Sequence, residues 1–263
     1  MLQSLKRLGV LTSGLAMTLT TGLALADPFA FTVTPPGGSP FQATFIDFSY
    51  VALVDQTATA GTGTFTEEGG GFFSSFRHPT LNTVVPNTGI NQNYNLYATY
   101  TGGGTVAPTG NGGLTATFNT FDLKMFLDPN KNTTITADGV GAPNGSVTTA
   151  NTADDIQVGS SAGLIAGEAH AFPGLANGDF DVQVKFNPTG GFLSGPFVLG
   201  LTLGDFNGVN TSLQGFSTGS FTDGRIDGSG NLSFSAIPEP SSLLLIGSGL
   251  AALGWLRRRT VHA

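Results

Sequence analysis

The chain has 263 residues, with 39 Gly, 21 Phe and no Cys, and only 10% of it is charged. Without cysteine, an exported protein cannot staple a small core with disulfides and must be stable by burial alone; the length is ample for that. Low charge and substantial hydrophobicity exclude disorder of the whole body, and a formal net charge of −7 sets nucleic acid aside, because binding it requires clustered Lys and Arg.

The first element is a targeting segment. Met1 to Arg7 carries Lys6 and Arg7, Leu8 to Leu23 is apolar with small residues, and Ala24-Leu25-Ala26 supplies a small-x-small cleavage site. That order is a secretory signal peptide over residues 1–26, which puts the start of the mature chain at Asp27. With both chain ends trimmed, residues 27–236 keep five bases (Arg77, Lys124, Lys131, Lys185 and Arg225) against sixteen acids, a net of −11. Such a surface repels anionic lipid and acidic polysaccharide unless divalent cations bridge them.

Strands are expected throughout the body. Phe41 to Val54 alternates apolar and polar residues, Thr59 to Thr66 and Gly71 to Phe76 are short runs, and Tyr94 to Tyr100 and Leu114 to Leu127 follow. Asp179 to Phe186 is the cleanest alternation, with Phe180, Val182, Val184 and Phe186 inward; Phe197 to Leu203 and Ile226 to Phe234 complete the series. Gly, Asn, Asp and Pro clusters separate these runs, and Thr101 to Gly113 and Gly139 to Thr152 read as connections. No 3.6-residue period interrupts the pattern. The predicted fold is all-β: an antiparallel β-sandwich or barrel-like extracellular domain over 27–236.

Within the body, Asp128-Pro129-Asn130-Lys131-Asn132-Thr133-Thr134-Ile135 sets side-chain oxygens at alternate positions, as calcium loops do. Asp128, Asn130 and Asn132 with Asp138 are the candidate calcium ligands. Thr133 stands where such a loop needs Gly, Gly139 where it needs Glu, and an Asp-Pro-Asn turn capped by its own side chains is the plainer reading. Catalytic patterns are weak. Gly159-Ser160-Ser161-Ala162-Gly163 and Gly215-Phe216-Ser217-Thr218-Gly219 match G-x-S-x-G without a following helical pattern. Glu168-Ala169-His170 lacks an evident third zinc ligand. Adjacent acids such as Glu67-Glu68 and Asp154-Asp155 point to opposite faces of a strand, or lie in a turn, and do not make a glycosidase pair. The expectation is a non-enzymatic protein with no obligate cofactor.

The last element is a tripartite tail over 237–263: Pro238-Glu239-Pro240, a mostly apolar run from Leu243 to Leu256, and Arg257-Arg258-Arg259. The run makes a helix of about 21 Å, short of a hydrocarbon core but able to span with snorkelling arginines and local thinning; the arginines keep that end cytoplasmic. This C-terminal transmembrane helix with Pro-Glu-Pro at its mouth resembles the PEP-CTERM sorting signal. The resemblance implies export by the general secretion machinery and cutting by an exosortase, with Pro238, Glu239, Pro240, Arg257, Arg258 and Arg259 as the signal and Ala24 and Ala26 at the signal-peptide site.

The series YNLYATYTGGG from Tyr94, FDLKMFLDPNKNTTITAD from Phe121, Asp154-Asp155-Ile156, and the runs Phe180 to Phe186 and Gly195 to Gly204 is similar to flocculation-associated PEP-CTERM proteins. That resemblance implies a surface or matrix protein acting with exopolysaccharide in cell aggregation. A carbohydrate-binding module is the alternative, with Tyr50, Tyr94, Tyr97 and Tyr100 as sugar platforms. Ice binding through Thr-x-Thr pairs such as Thr115/Thr117 and Thr134/Thr136, and a secreted hydrolase, rank lower.

Overall fold

The computed structural model describes residues 27–57, 62–138, 145–216 and 223–237. Among these there are thirteen strands and no helix. In chain order they are β1 (Phe31–Val33), β2 (Phe41–Ala43), β3 (Phe45–Thr57), β4 (Gly63–Arg77), β5 (Asn95–Pro108), β6 (Leu114–Asp128), β7 (Thr134–Asp138), β8 (Ser146–Ala150), β9 (Ile156–Ala171), β10 (Gly178–Pro188), β11 (Leu193–Ser194), β12 (Thr202–Gln214) and β13 (Asp223–Ala236).

Eight of them close into an antiparallel barrel in the order β10-β12-β13-β3-β4-β5-β6-β9. Of the two architectures the sequence left open, this is the barrel. Closure gives each of these eight strands a neighbour on both sides, so the barrel itself has no edge strand. β7 and β8 form a separate hairpin within the β6–β9 connection. β11, β1 and β2 form a small sheet against one end of the barrel; there Phe31, Phe197 and Phe234 meet with centroids 5.1–6.2 Å apart. We call this the plugged end. The ends of β3, β5, β9 and β12, and the starts of β4, β6, β10 and β13 that follow them, lie at the other end, which we call the turn end.

The wall is apolar inside and polar outside. Ile46, Ala52, Val54, Phe65, Leu123, Met125 and Val182 are buried, while Ser49, Asp55, Thr66, Glu68, Asp122, Lys124, Asp181 and Lys185 are exposed. A lipid-embedded barrel has the reverse arrangement, an apolar belt around a polar lumen. This wall is built to face water. No helix among the described residues is long and apolar enough to cross a membrane. The expected signal peptide, its Ala24–Ala26 site, and the tail with Pro238 to Pro240 and Arg257 to Arg259 lie outside the described residues.

Composition follows from the lumen. The aromatic rings that line it, among them Phe48, Tyr50, Phe73, Tyr100, Phe118 and Phe206, need space, and the inner wall supplies it with glycine. A Cβ on Gly69 would stand 2.1 Å from the Tyr100 ring, and one on Gly228 would stand 2.4 Å from the Tyr50 ring. Small residues opposite large ones are how a narrow barrel fills its interior. The same glycines blur the alternation of the strands that carry them. β4 is one strand where two were expected; β5 continues through Gly102-Gly103-Gly104 into the expected connection, and β9 was not expected as a strand. Phe197 to Leu203, expected as a strand, is mostly turn, and only its last two residues begin β12.

Candidate functional site

Three places on the barrel gather polar chemistry. The first is at the plugged end, where β6 finishes and β9 begins. Asp128 is fully buried and caps the turn that follows it, its carboxylate accepting the Asn132 N–H at 3.3 Å and the Thr133 N–H at 3.0 Å. Lys131 takes the left-handed conformation at the tip (φ 57°). The turn predicted from Asp-Pro-Asn is therefore present. Pairing of Leu127 with Ile156 brings the 151–155 turn alongside, and Asp154 and Asp155 complete the cluster. Asn130 donates to Asp154 at 2.8 Å, and Thr133 Oγ1 donates to Asp155 at 2.9 Å. The Tyr97 hydroxyl also donates to Asp155. Burial first, and then Asp155, hold that hydroxyl protonated far above the usual tyrosine range.

Oxygens of Asp128, Asp154 and Asp155 lie within 4.8 Å of one another, and Asp155 Oδ1 is buried without a hydrogen-bond partner. An all-oxygen set of three carboxylates, with Asn130 and Asn132 beside it, has the chemistry a hard cation such as calcium takes. The structure thus assembles Asp128, Asn130 and Asn132 but leaves out Asp138. Asp138 ends β7, paired with Ser146 and near Arg225. Asp154 and Asp155 take its place, in the turn that the sequence suggested and on no strand face.

The second place is inside the lumen. Glu67 is 8% exposed and accepts the Tyr100 hydroxyl at 2.6 Å; Tyr50 donates to Asn210, itself buried. Burial raises the Glu67 carboxyl to about 7, partly opposed by the hydrogen bond from Tyr100. Burial and then the Glu67 charge push both tyrosines up. An apolar cavity of about 60 Å³ on one side of Glu67 and another of about 50 Å³ toward the turn end flank this chain. Glu68, its neighbour, faces outward and accepts the Val147 N–H at 3.5 Å, so the pair straddles the wall as adjacent strand residues must.

The third is a broad groove of about 920 Å³ on the outer wall, bordered by Asp47, Arg77, His170, Asp179, Asn207 and Asn231 among others. Arg77 Nε bridges both Asp47 oxygens at 2.8 and 2.9 Å. His170 Nδ1 lies 2.7 Å from Asp179 and its Nε2 lies 3.8 Å from Glu168. Beyond the border, Asp205 is raised to about 6 by burial and then by the neighbouring Asp181 charge.

The other sequence candidates are dispersed. Ser161 lies within β9, its hydroxyl accepting the Leu123 N–H at 2.8 Å and donating to Asp122 at 3.3 Å, with no strand-to-helix elbow. Tyr50 and Tyr100 turn into the lumen; Tyr94 and Tyr97 are buried. Among the described residues no tyrosine offers its face to a sugar. Thr115 and Thr117 sit on the barrel but Thr134 and Thr136 on the separate hairpin, so the threonine pairs form no common array.

The PEP-CTERM protein-sorting motif matches residues 236–259, spanning Pro238-Glu239-Pro240 and the three arginines. The motif makes this chain an exported protein and a substrate for exosortase processing. None of the curated proteins compared matches it. A solved structure, that of Ail, the attachment invasion locus protein of Yersinia pestis, aligns over 73% of this chain and 98% of its own at 6% identity. The TM-score of 0.19 is too low to carry an argument.

Proposed function

We propose that this exported, exosortase-processed chain is a non-enzymatic surface or matrix protein. In this reading its barrel holds extracellular polysaccharide along the outer groove and contributes to cell aggregation. The observation that carries the proposal is that groove, about 920 Å³ long-walled space edged by amides, hydroxyls and carboxylates, on a protein whose sorting motif delivers it to the outside. Hydroxyl-rich chains are held by such groups through many modest hydrogen bonds. The net charge of −11 favours neutral or cationic polymers. With the tyrosines turned inward, hydrogen bonding rather than aromatic stacking is the means of grip.

Asn207 and Asn231 pair across β12 and β13 at the groove, and replacing both with Ala tests the reading. The variant is expected to keep its melting temperature and lose retention on the producing cell's own purified exopolymer. Unchanged retention removes the groove as the site. Unchanged clumping of cells after deletion of the gene removes the adhesive role altogether.

A further inference from the structure

The end of the barrel that leads into the sorting segment is also where exposed apolar side chains gather. β13 finishes at Ala236, and the Ile237 N–H donates to the Leu201 carbonyl at 2.8 Å; the Phe29 N–H donates to the Phe234 carbonyl at 2.9 Å. The described chain therefore enters and leaves at the plugged end. Eight large hydrophobic residues are exposed among the described residues. Six of them (Leu81, Val84, Ile156, Val198, Leu199 and Leu201) lie in connections at this end or at the first residue of β9. Leu199 is 79% exposed, and Leu201, which holds Ile237, is 57% exposed. Single exposed leucines are ordinary. Six of the eight at one end, three of them in the turn that binds the exiting chain through Leu201, are unevenly distributed.

The chain beyond says what covers them. Pro238-Glu239-Pro240-Ser241-Ser242 separates Ile237 from the apolar run that starts at Leu243, and five residues reach at most about 20 Å. A membrane-held tail keeps this end, and no other, close to the bilayer.

We propose that the plugged end of the barrel docks on the bilayer surface while the tail is attached, with Val198, Leu199 and Leu201 entering the interfacial layer beside it. This rests on the reading of residues 243–256 as a membrane segment. The attraction is apolar. Asp128, Asp154 and Asp155 share the same end, so anionic headgroups are not what it recognises, and docking weakens as the anionic fraction rises and recovers with salt. Docked in this way, the barrel holds the Pro-Glu-Pro step at the membrane face, where a membrane-embedded protease meets it.

The absence of cysteine makes the test direct. Single cysteines at Leu199, Phe172 and Ala251 are labelled with an environment-sensitive fluorophore in the full chain, reconstituted in phosphatidylethanolamine–phosphatidylglycerol vesicles. Phe172, also exposed, lies at the turn end and serves as the control; Ala251 reports the tail. The expected result is blue-shifted emission, quenched by spin-labelled lipid, at 199 and 251, with the label at 172 remaining in water. A label at 251 in lipid with 199 in water overturns docking and leaves anchoring intact. A label at 199 in lipid with 251 in water supports docking and removes the membrane reading of the tail; both in water overturns docking. In a second arm, Val198→Asp with Leu199→Asp, melting as the wild type does, is expected to lower the docking equilibrium constant read from lipid quenching of a Leu201→Cys label at least about tenfold, the effect of losing two partly buried apolar side chains. An undiminished constant overturns the role given to that turn.

Discussion

Glu67 sets a pH dependence inside the lumen, of the same sign as that of the half-buried Asp205 on the outer wall. A carboxyl with its folded value raised to about 7 from 4.5 is more readily protonated folded than unfolded. Its ionisation opposes folding above pH 7, and the opposition is fully relieved below the unfolded value. The difference corresponds to about 3 kcal/mol. Glu67→Gln is expected to flatten the decline of melting temperature between pH 5 and 8, with a gain at pH 8 and little change at pH 5. Melting curves of both proteins across that range check it; equal slopes would refute the burial argument. Asp155 Oδ1 supplies the second prediction at this scale. If the three-acid cluster takes calcium, free metal at about ten times the dissociation constant stabilises the fold by about 1.4 kcal/mol, a rise of a few degrees. Asp155→Asn is expected to abolish it. No calcium-induced rise in the wild type removes the metal. Asp128, Asn130 and Asn132 were legible because one turn carries them. Asp154 and Asp155 were not, because only the pairing of β6 with β9 brings them near.

Strands were legible where packing kept the alternation intact. In β10, Phe180, Val182, Val184 and Phe186 have no glycine among them, and sequence and structure agree. β9 contains Gly159 and Gly167, whose added Cβ atoms would meet Phe186 at 2.2 Å and Phe118 at 2.9 Å. Its inner face is therefore partly defined by rings from other strands, and no window of its own sequence can report them. Phe197 to Leu203 misled in the opposite way. Phe197 is packed against the plug while Val198, Leu199 and Leu201 face out, so an apolar run there reflects two surfaces and no strand period. The glycine argument yields a third prediction. Gly69→Ala forces a methyl into the Tyr100 ring and should lower stability by about 1–3 kcal/mol. Adding Tyr100→Leu should recover part of that loss, because the two changes share one space. Denaturant titration of the double-mutant cycle decides it; additive losses would mean that the ring is not the obstacle.

At the scale of the whole molecule, the barrel and the sorting segment are separable. The last of the eight barrel strands ends at Ala236, before Pro-Glu-Pro, and the Ile237–Leu201 bond is the last contact among the described residues. Glu239→Ala is therefore expected to leave the melting of the body unchanged while an uncleaved precursor accumulates in the membrane fraction. An immunoblot of fractionated cells checks this, and normal maturation would overturn the role given to Pro-Glu-Pro. Closure itself has a consequence in time. β13 is the strand that joins β12 to β3, pairing Asp223 to Ser233 with a strand made some 180 residues earlier, and it ends where the sorting motif begins. During vectorial synthesis the sheet has no way to complete its ring until the sorting segment is next to emerge. Contacts of such long sequence separation form slowly. The newly exported chain thus stays open until its final strand follows. A chain lacking β13 would be an incomplete barrel with bare edges on β12 and β3, and the sorting motif, placed after β13, emerges only when the last strand is already out.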